Sequence, residues 1–344
     1  DNMKPICLTR RHSLIAAALL TASALMPAVA AEAAKLRFSS FEPPMAKITS
    51  EVLTPFAKNA SEASSGTLEI SMFAGGTLGR NPAQQLKLVT DGVADLAWVV
   101  LPYTPGRFDD ADVVGLPFAT ETAIEGSLAL QHMFDNGELG GFDDLKVLAI
   151  AATSPVTIHA NNPVNQPSDM QSKRVRVSGD IPTRMVELLG GAPVQVGGGQ
   201  IAEALSRGVV DMTLNNWGFV GDFKVDQVTS HHLNVPLGAV AVGVVMRKDR
   251  YEALPAEARA AIDRFSGELL SKQIGQAFDA QQEEVLGKVQ KSTRNTVVLP
   301  DEATVNSWKE AVTPVIDDWR KLDPKHESLY ESFTANVKKV RSGG

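Results

Sequence analysis

The spacing of apolar and polar residues changes period repeatedly along the chain, and each change marks an element. Residues 36–40 alternate like a strand, and Pro43-Pro44 then opens a stretch, 45–63, in which Ile48, Val52, Leu53 and Phe56 recur at helical spacing. Strands are predicted over 68–73, 94–100, 145–152 and 156–160, with helices over 83–90 and from 120 to about 136. From 173 to 214 the pattern reads strand, helix, strand, helix, strand. Beyond it lie a strand at 239–246, a long helical pattern from Leu254 to about Lys291, a strand at 295–299, and helices over 301–321 and 327–341.

Strands alternating with helices predict an α/β fold whose sheets are mostly parallel and covered by helices. The alternation restarts after Ser154-Pro155, which predicts two lobes. The first lobe is expected to hold 31–155 plus about 240–298, and the second 156–239 plus about 299–344. The long helical pattern, with Ile262, Phe265, Leu269, Ile274, Phe278 and Val285 on its apolar side, should lie across both.

Ligands of such sheets lie beyond the carboxyl ends of the strands. Arg176 and the run Asn215-Asn216-Trp217 fall at or near those ends in the second lobe, and Trp98 and Tyr103 in the first. On its residues alone, Arg176 reads either as a ligand anchor or as a surface arginine. Trp98 reads equally as pocket wall or core, and His159 as a hydrogen-bonded structural histidine or a ligand contact. Ala74 to Arg80 is a glycine loop that could turn a strand into a helix or cradle an anion, but its glycines match no dinucleotide or P-loop pattern. Asp109-Asp110-Ala111-Asp112 lacks the spacing of a calcium loop and is expected to be a solvated connection.

Composition removes several function classes. Arg10-Arg11, the apolar run 14–26 and Ala28-Val29-Ala30 have the form of a secretory signal peptide over residues 1–30, with a twin-arginine variant of it possible. Taking Lys4, Arg10, Arg11 and Asp1 from the 33 basic and 40 acidic residues leaves 30 and 39, a net charge near −9. An acidic mature chain is not expected to bind nucleic acid. Cys7, the single cysteine, leaves with the signal, so no disulfide, thiolate metal site or thiol nucleophile is expected. No metal or cofactor is expected either. After the signal no apolar run suffices to span a bilayer, and the product is expected in the periplasm, as a monomer.

No nucleophile elbow and no His-Glu-x-x-His pair occurs, and the histidines are scattered. Absent motifs favour an exported binding protein over an enzyme. The motifs that are present agree with that. From Phe73-Ala74-Gly75-Gly76-Thr77-Leu78-Gly79, through Asp91-Gly92-Val93-Ala94-Asp95, Tyr103-Thr104-Pro105-Gly106-Arg107-Phe108 and Leu116-Pro117-Phe118, the sequence resembles the solute-binding proteins of TRAP transporters. The likeness continues through 169–177, Ala204 to Asp211, and Met246-Arg247-Lys248-Asp249 with Leu254-Pro255.

The resemblance implies a two-lobed periplasmic-binding-protein fold that closes around a small organic acid and delivers it to the membrane subunits of a TRAP permease, driven by an ion gradient. It places the family's carboxylate-binding arginine on Arg176 and a hydrogen-bonding residue on Asn215, with Asn216 and Trp217 adjoining. A guanidinium fork suits that role because it matches a carboxylate bidentately and stays charged when buried. The chain departs from the family at Ser172, at Gln200 and at Gly198, where some relatives carry a stacking aromatic. It also lacks, over 155–159, the second arginine of sialic-acid binders. With Trp98, Tyr103, Trp217 and Phe41 available, a monocarboxylate with an apolar or aromatic body is expected at least as readily as a dicarboxylate. An exported two-lobed hydrolase and an ABC-type binding protein are the alternatives.

Overall fold

The computed structural model describes residues 2–3 and 32–343. The expected signal peptide, its arginine pair and Cys7 lie outside the described residues. Two mixed sheets carry the fold. The first has the order β2-β1-β3-β10-β4, from β1 (Ala34–Ser39), β2 (Leu68–Phe73), β3 (Leu96–Val100), β4 (Leu145–Ala152) and β10 (Ala241–Arg247). The second, β11-β9-β5-β8-β6-β7, is made of β5 (Thr157–Ala160), β6 (Arg174–Val177), β7 (Ala192–Gln195), β8 (Met212–Asn215), β9 (His231–Leu233) and β11 (Thr296–Val298).

The strand-helix alternation appears as parallel pairing of β1 with β2 and β3, and of β6 with β7 and β8. The strands by which the chain passes between sheets run the other way. After β4 the chain enters the second sheet as β5, antiparallel to β8 and β9, and it returns as β10, antiparallel to β3 and β4. The strand expected at 295–299 is β11, and it pairs with β9 in the second sheet rather than the first. All of β3 is buried, with Ala97 and Val99 in one core and Leu96, Trp98 and Val100 in another, the two-sided burial of an interior strand.

The helices are α1 (Thr54–Ala63), α2 (Gln85–Thr90), α3 (Ala123–Asp135), α4 (Asp180–Leu188), α5 (Ile201–Ser206), α6 (Trp217–Asp222), α7 (Lys248–Glu252), α8 (Ala256–Arg264), α9 (Glu268–Gln290), α10 (Glu302–Leu322) and α11 (His326–Arg341). The helical pattern expected to run unbroken from Leu254 to Lys291 is interrupted at Gly267. That residue takes a φ of 67°, open to glycine at little cost, and its N–H donates to the Leu148 carbonyl of β4 at 2.6 Å. None of the helices is long and apolar enough to cross a membrane, among the described residues.

The last two helices divide between the sheets, with α10 packed on α4 and α11 on α3. Asp110 joins them to the core. It is buried rather than solvated, accepting from Gly140 N at 2.8 Å and Lys325 Nζ at 2.6 Å, while burial, with Asp109 next, pushes Asp112 up to about 7. The aspartate run is therefore structural, because a short helical turn folds it under α11.

Helix α9 touches both halves. Ser271 Oγ donates to Ile150 O of β4 at 2.8 Å, Asp279 accepts from the first N–H groups of α3, and Gln281 Nε2 donates to Asp222 of α6 at 2.7 Å. Gly275 allows the approach to α3, since a Cβ there would lie 2.8 Å from Ile124 Cα. Gly275→Val is expected to lower the free energy of unfolding by about 1–3 kcal/mol through overpacking. Gly287→Ala, on the same helix with nothing within 4 Å of the added methyl, should raise it by about 0.5–1 kcal/mol. Urea titrations of both variants test the pair.

Candidate functional site

The ends of β1, β3, β6 and β8 converge on one cavity, which encloses roughly 660 Å³ of empty space including a part open to solvent. Along β6, Val175 and Val177 point into the core and the two arginines point to the other face. Arg174, at the start of the strand, is exposed and pairs with Asp211. Arg176, near its carboxyl end, is 1% exposed and lines the cavity.

Three groups hold the Arg176 guanidinium. Nε donates to Val196 O at 3.0 Å and Nη2 to the Tyr103 hydroxyl at 2.9 Å. Asn215 is oriented with its nitrogen toward Leu214 O and Thr213 Oγ1, so that its oxygen accepts from Nη1 at 3.3 Å. A guanidinium has five N–H groups, and these contacts leave one on each terminal nitrogen. No carboxylate of the described residues pairs with it. A buried cation supported only by neutral dipoles is an incomplete arrangement, and the two remaining N–H groups match the two oxygens of one carboxylate.

The rest of the wall combines aliphatic side chains with several aromatic rings. Phe41 follows β1, Tyr103 lies on the turn after β3, and Trp98 packs on Phe278 of α9 with ring centroids 6.2 Å apart. Asn216 lines the cavity while its side chain caps α6, accepting from Phe219 N at 2.9 Å. Phe219 was not anticipated. Its ring lies against Gly198, where a Cβ would come within 3.1 Å of it, so it fills the space that an aromatic at position 198 would take.

Two expected contacts lie elsewhere. Trp217 is fully buried in the core with Val220 and Val225, and its Nε1 donates to Asn234 Oδ1 at 2.8 Å. The strand alternation ends at Asn216, the cap of α6, so the next side chain follows helical rather than strand geometry and turns inward. His159 packs edge-on against Trp217 behind Asn215. Its Nε2 lies 2.9 Å from the Asn215 carbonyl and 3.0 Å from Thr157 Oγ1, and its Nδ1 lies 2.9 Å from His232 Nδ1, whose Nε2 meets Asn295 Oδ1 at 3.0 Å. Burial, and His232 beside it, push His159 down to about 3, so the ring is neutral and braces the strand that carries Asn215.

Acidic groups complete the lining. The glycine loop after β2 is no anion cradle: Gly75 N donates to Glu42 O at 2.7 Å and Gly76 N to Ser40 O at 2.9 Å, fixing the segment after β1. Glu42 is thereby held at 8% exposure, and burial, reinforced by Asp222, pushes its carboxyl up to about 8. Burial also raises Asp222, against the hydrogen bond from Gln281. Glu42 escaped the sequence reading because an acidic residue before two prolines looks like a solvated turn.

Comparison with known proteins agrees with this geometry. The family model described as bacterial extracellular solute-binding protein, family 7, matches residues 38–322. A TRAP solute-binding protein from a marine metagenome, specific for aromatic acid ligands and crystallised with 3-hydroxybenzoate, is 28% identical with a TM-score of 0.84, over 89% of this chain and 98% of that one. A TRAP solute-binding protein of Rhodoferax ferrireducens with copurified benzoate is 25% identical with a TM-score of 0.84, over 90% and 100%. The C4-dicarboxylate-binding periplasmic protein DctP of Rhodobacter capsulatus is 23% identical, over 90% and 94%.

The Glu42 shift has a stability consequence. Between the ordinary value of 4.5 and about 8 the folded chain keeps a proton that the unfolded chain releases, so stability falls as pH rises, by about 1.4 kcal/mol per unit. His159 is neutral in both states above its ordinary 6.5. From pH 6.5 to 8 the ligand-free protein should therefore lose about 2 kcal/mol that Glu42→Gln does not lose. Urea unfolding at the two pH values measures it, and equal losses in both proteins would show that Glu42 ionises normally.

Proposed function

Because the chain belongs to family 7 of the bacterial extracellular solute-binding proteins, the receptors of TRAP transporters, we propose that its cavity captures an aromatic monocarboxylate for delivery to a membrane permease. The observation that carries this reading is Arg176, buried in the cavity wall with two N–H groups free and no anionic partner among the described residues. The aromatic body is supported by Phe41, Trp98, Tyr103, Phe219 and Phe278 in the lining. The ligands named for the marine and Rhodoferax relatives are acids of that class. A C4-dicarboxylate, the ligand class named for the Rhodobacter relative, fits less well. Its second charge would sit in a cavity that already holds Glu42 and Asp222 and has Arg176 as its one lining cation.

The receptor reading is preferred to a hydrolase. His159, the histidine nearest Asn215, stands behind the site with Nε2 on a backbone carbonyl and its basicity suppressed, so it cannot serve as a general base in the cavity. The residues proposed to touch ligand are Arg176 as anchor, Asn215 and Tyr103 as its supports, and Phe41, Trp98, Asn216 and Phe219 as wall. Extracytoplasmic location follows the family, and we assign the periplasm. Closure around the ligand is favoured only as far as the closed form binds it better.

Arg176→Ala is expected to cost about 2–5 kcal/mol of ligand binding, at least about thirtyfold in Kd. Titration calorimetry with benzoate, phenylacetate and succinate on both proteins tests it. A change below twofold removes Arg176 from the site, and succinate binding above the aromatic acids overturns the ligand class.

A further inference from the structure

Within the same cavity two polar atoms have no partner. Glu42 Oε2 and Trp98 Nε1 are both buried, on side chains 8% and 1% exposed, and neither has a partner in hydrogen-bond geometry; the indole N–H faces the Glu42 carboxyl closely enough to oppose the rise in its ionisation without closing a bond to it. Leaving such an atom unpaired forfeits its hydration without return, and native proteins rarely tolerate it without a use. Both side chains line the cavity. We propose that Glu42 and Trp98 form a second polar subsite that takes an uncharged hydroxyl on the body of the bound carboxylate. The inference rests on the reading of Arg176 as the carboxylate anchor.

The chemistry of the two atoms selects the group. The indole N–H only donates, whereas the neutral Glu42 carboxyl carries one O–H and so both donates and accepts. A hydroxyl does both, and it completes Glu42 and Trp98 together. An ether oxygen only accepts, so it can pair with the indole or the Glu42 O–H but gives nothing to an accepting oxygen, and it adds a methyl group; an unsubstituted ring satisfies neither. A second carboxylate is opposed, because the charge acting on Glu42 is that of Asp222 and no cation relieves it. The raised ionisation of Glu42 keeps it a neutral acid near pH 7, which suits an uncharged partner.

The subsite is rigid and comes from the other half of the fold. Gly75 and Gly76 clamp the backbone on which Glu42 stands, and Glu42 N donates to Ser40 Oγ at 3.1 Å. Trp98 is fixed in the middle of β3 against Phe278. Arg176 belongs to the second sheet and the Glu42–Trp98 pair to the first. A hydroxylated acid thus makes directional bonds to both halves, and an unsubstituted acid to one. Groups positioned before the ligand arrives convert such bonds into affinity with little ordering cost.

The test is calorimetry at pH 7 with benzoate and phenylacetate, their 3- and 4-hydroxy derivatives, and the matching methoxy derivatives. At least one hydroxy acid is expected to bind tenfold or more tightly than both its parent and its methyl ether. The ratio of hydroxy to parent affinity should fall toward one in Trp98→Phe, which keeps a ring and loses the N–H, and in Glu42→Leu. Should Glu42→Leu not fold, as judged by circular dichroism, Trp98→Phe decides alone. Hydroxy acids no tighter than their parents, or a preference that survives Trp98→Phe, overturn the subsite while leaving the aromatic-carboxylate receptor intact. Failure of every aromatic acid to bind overturns both.

Discussion

Arg176 keeps a positive charge where water hardly reaches, and an ion in that position costs several kcal/mol unless other groups supply its hydrogen bonds. The surroundings are arranged around that requirement. Val196, Tyr103 and Asn215 each take one N–H, and they come from β7's end, the turn after β3, and β8. Asn215 is braced in turn from behind, because His159 holds its carbonyl and His232 holds His159. The neutral state of that histidine pair matters: a second positive charge behind Asn215 would repel the guanidinium it supports. No counter-ion is supplied among the described residues, and on the proposed reading that omission is what suits the cavity to an anion.

The opposite polarity is managed by the same means. Glu42 and Asp222 face the same space, and both hold their protons more tightly than exposed carboxyls do. Two ionised acids there would compete with an incoming carboxylate for Arg176. With burial keeping Glu42 neutral near pH 7, Arg176 is the one cation of the lining, set among polar atoms and aliphatic and aromatic side chains. On the proposed reading, selectivity between one and two carboxylates would follow from electrostatics as much as from shape.

The fold was largely legible in the sequence because strand and helix periods were clean, whereas Arg176 stood out only through the family resemblance, since on its residues alone it reads as readily as a surface arginine. Trp217 misled for a local reason: the strand pattern continues in sequence up to Asn216, and only the cap of α6 turns the next side chain inward. Gly267 was visible as a glycine, yet the apolar spacing carries straight through it, and what stops the helix there is a carbonyl of β4. Glu42, Phe219 and the Asp110–Lys325 pair were beyond reach, since their burial comes from segments distant in sequence. Local pattern reports which residues form an element; which polar residue ends up dry depends on what packs over it.

Helix α9 is fastened along its length to different partners. Its first half is tied by Ser271 to β4 and by Asp279 to the N-terminus of α3, and beside Asp279 the residues Phe278 and Gln281 line the cavity, the latter tied to α6. Any widening of the cavity at α6 must therefore either rupture the Gln281–Asp222 link or drag α9 and the first sheet with it. The helix is a spine shared by both sheets, and its link to α6 coincides with the floor of the cavity.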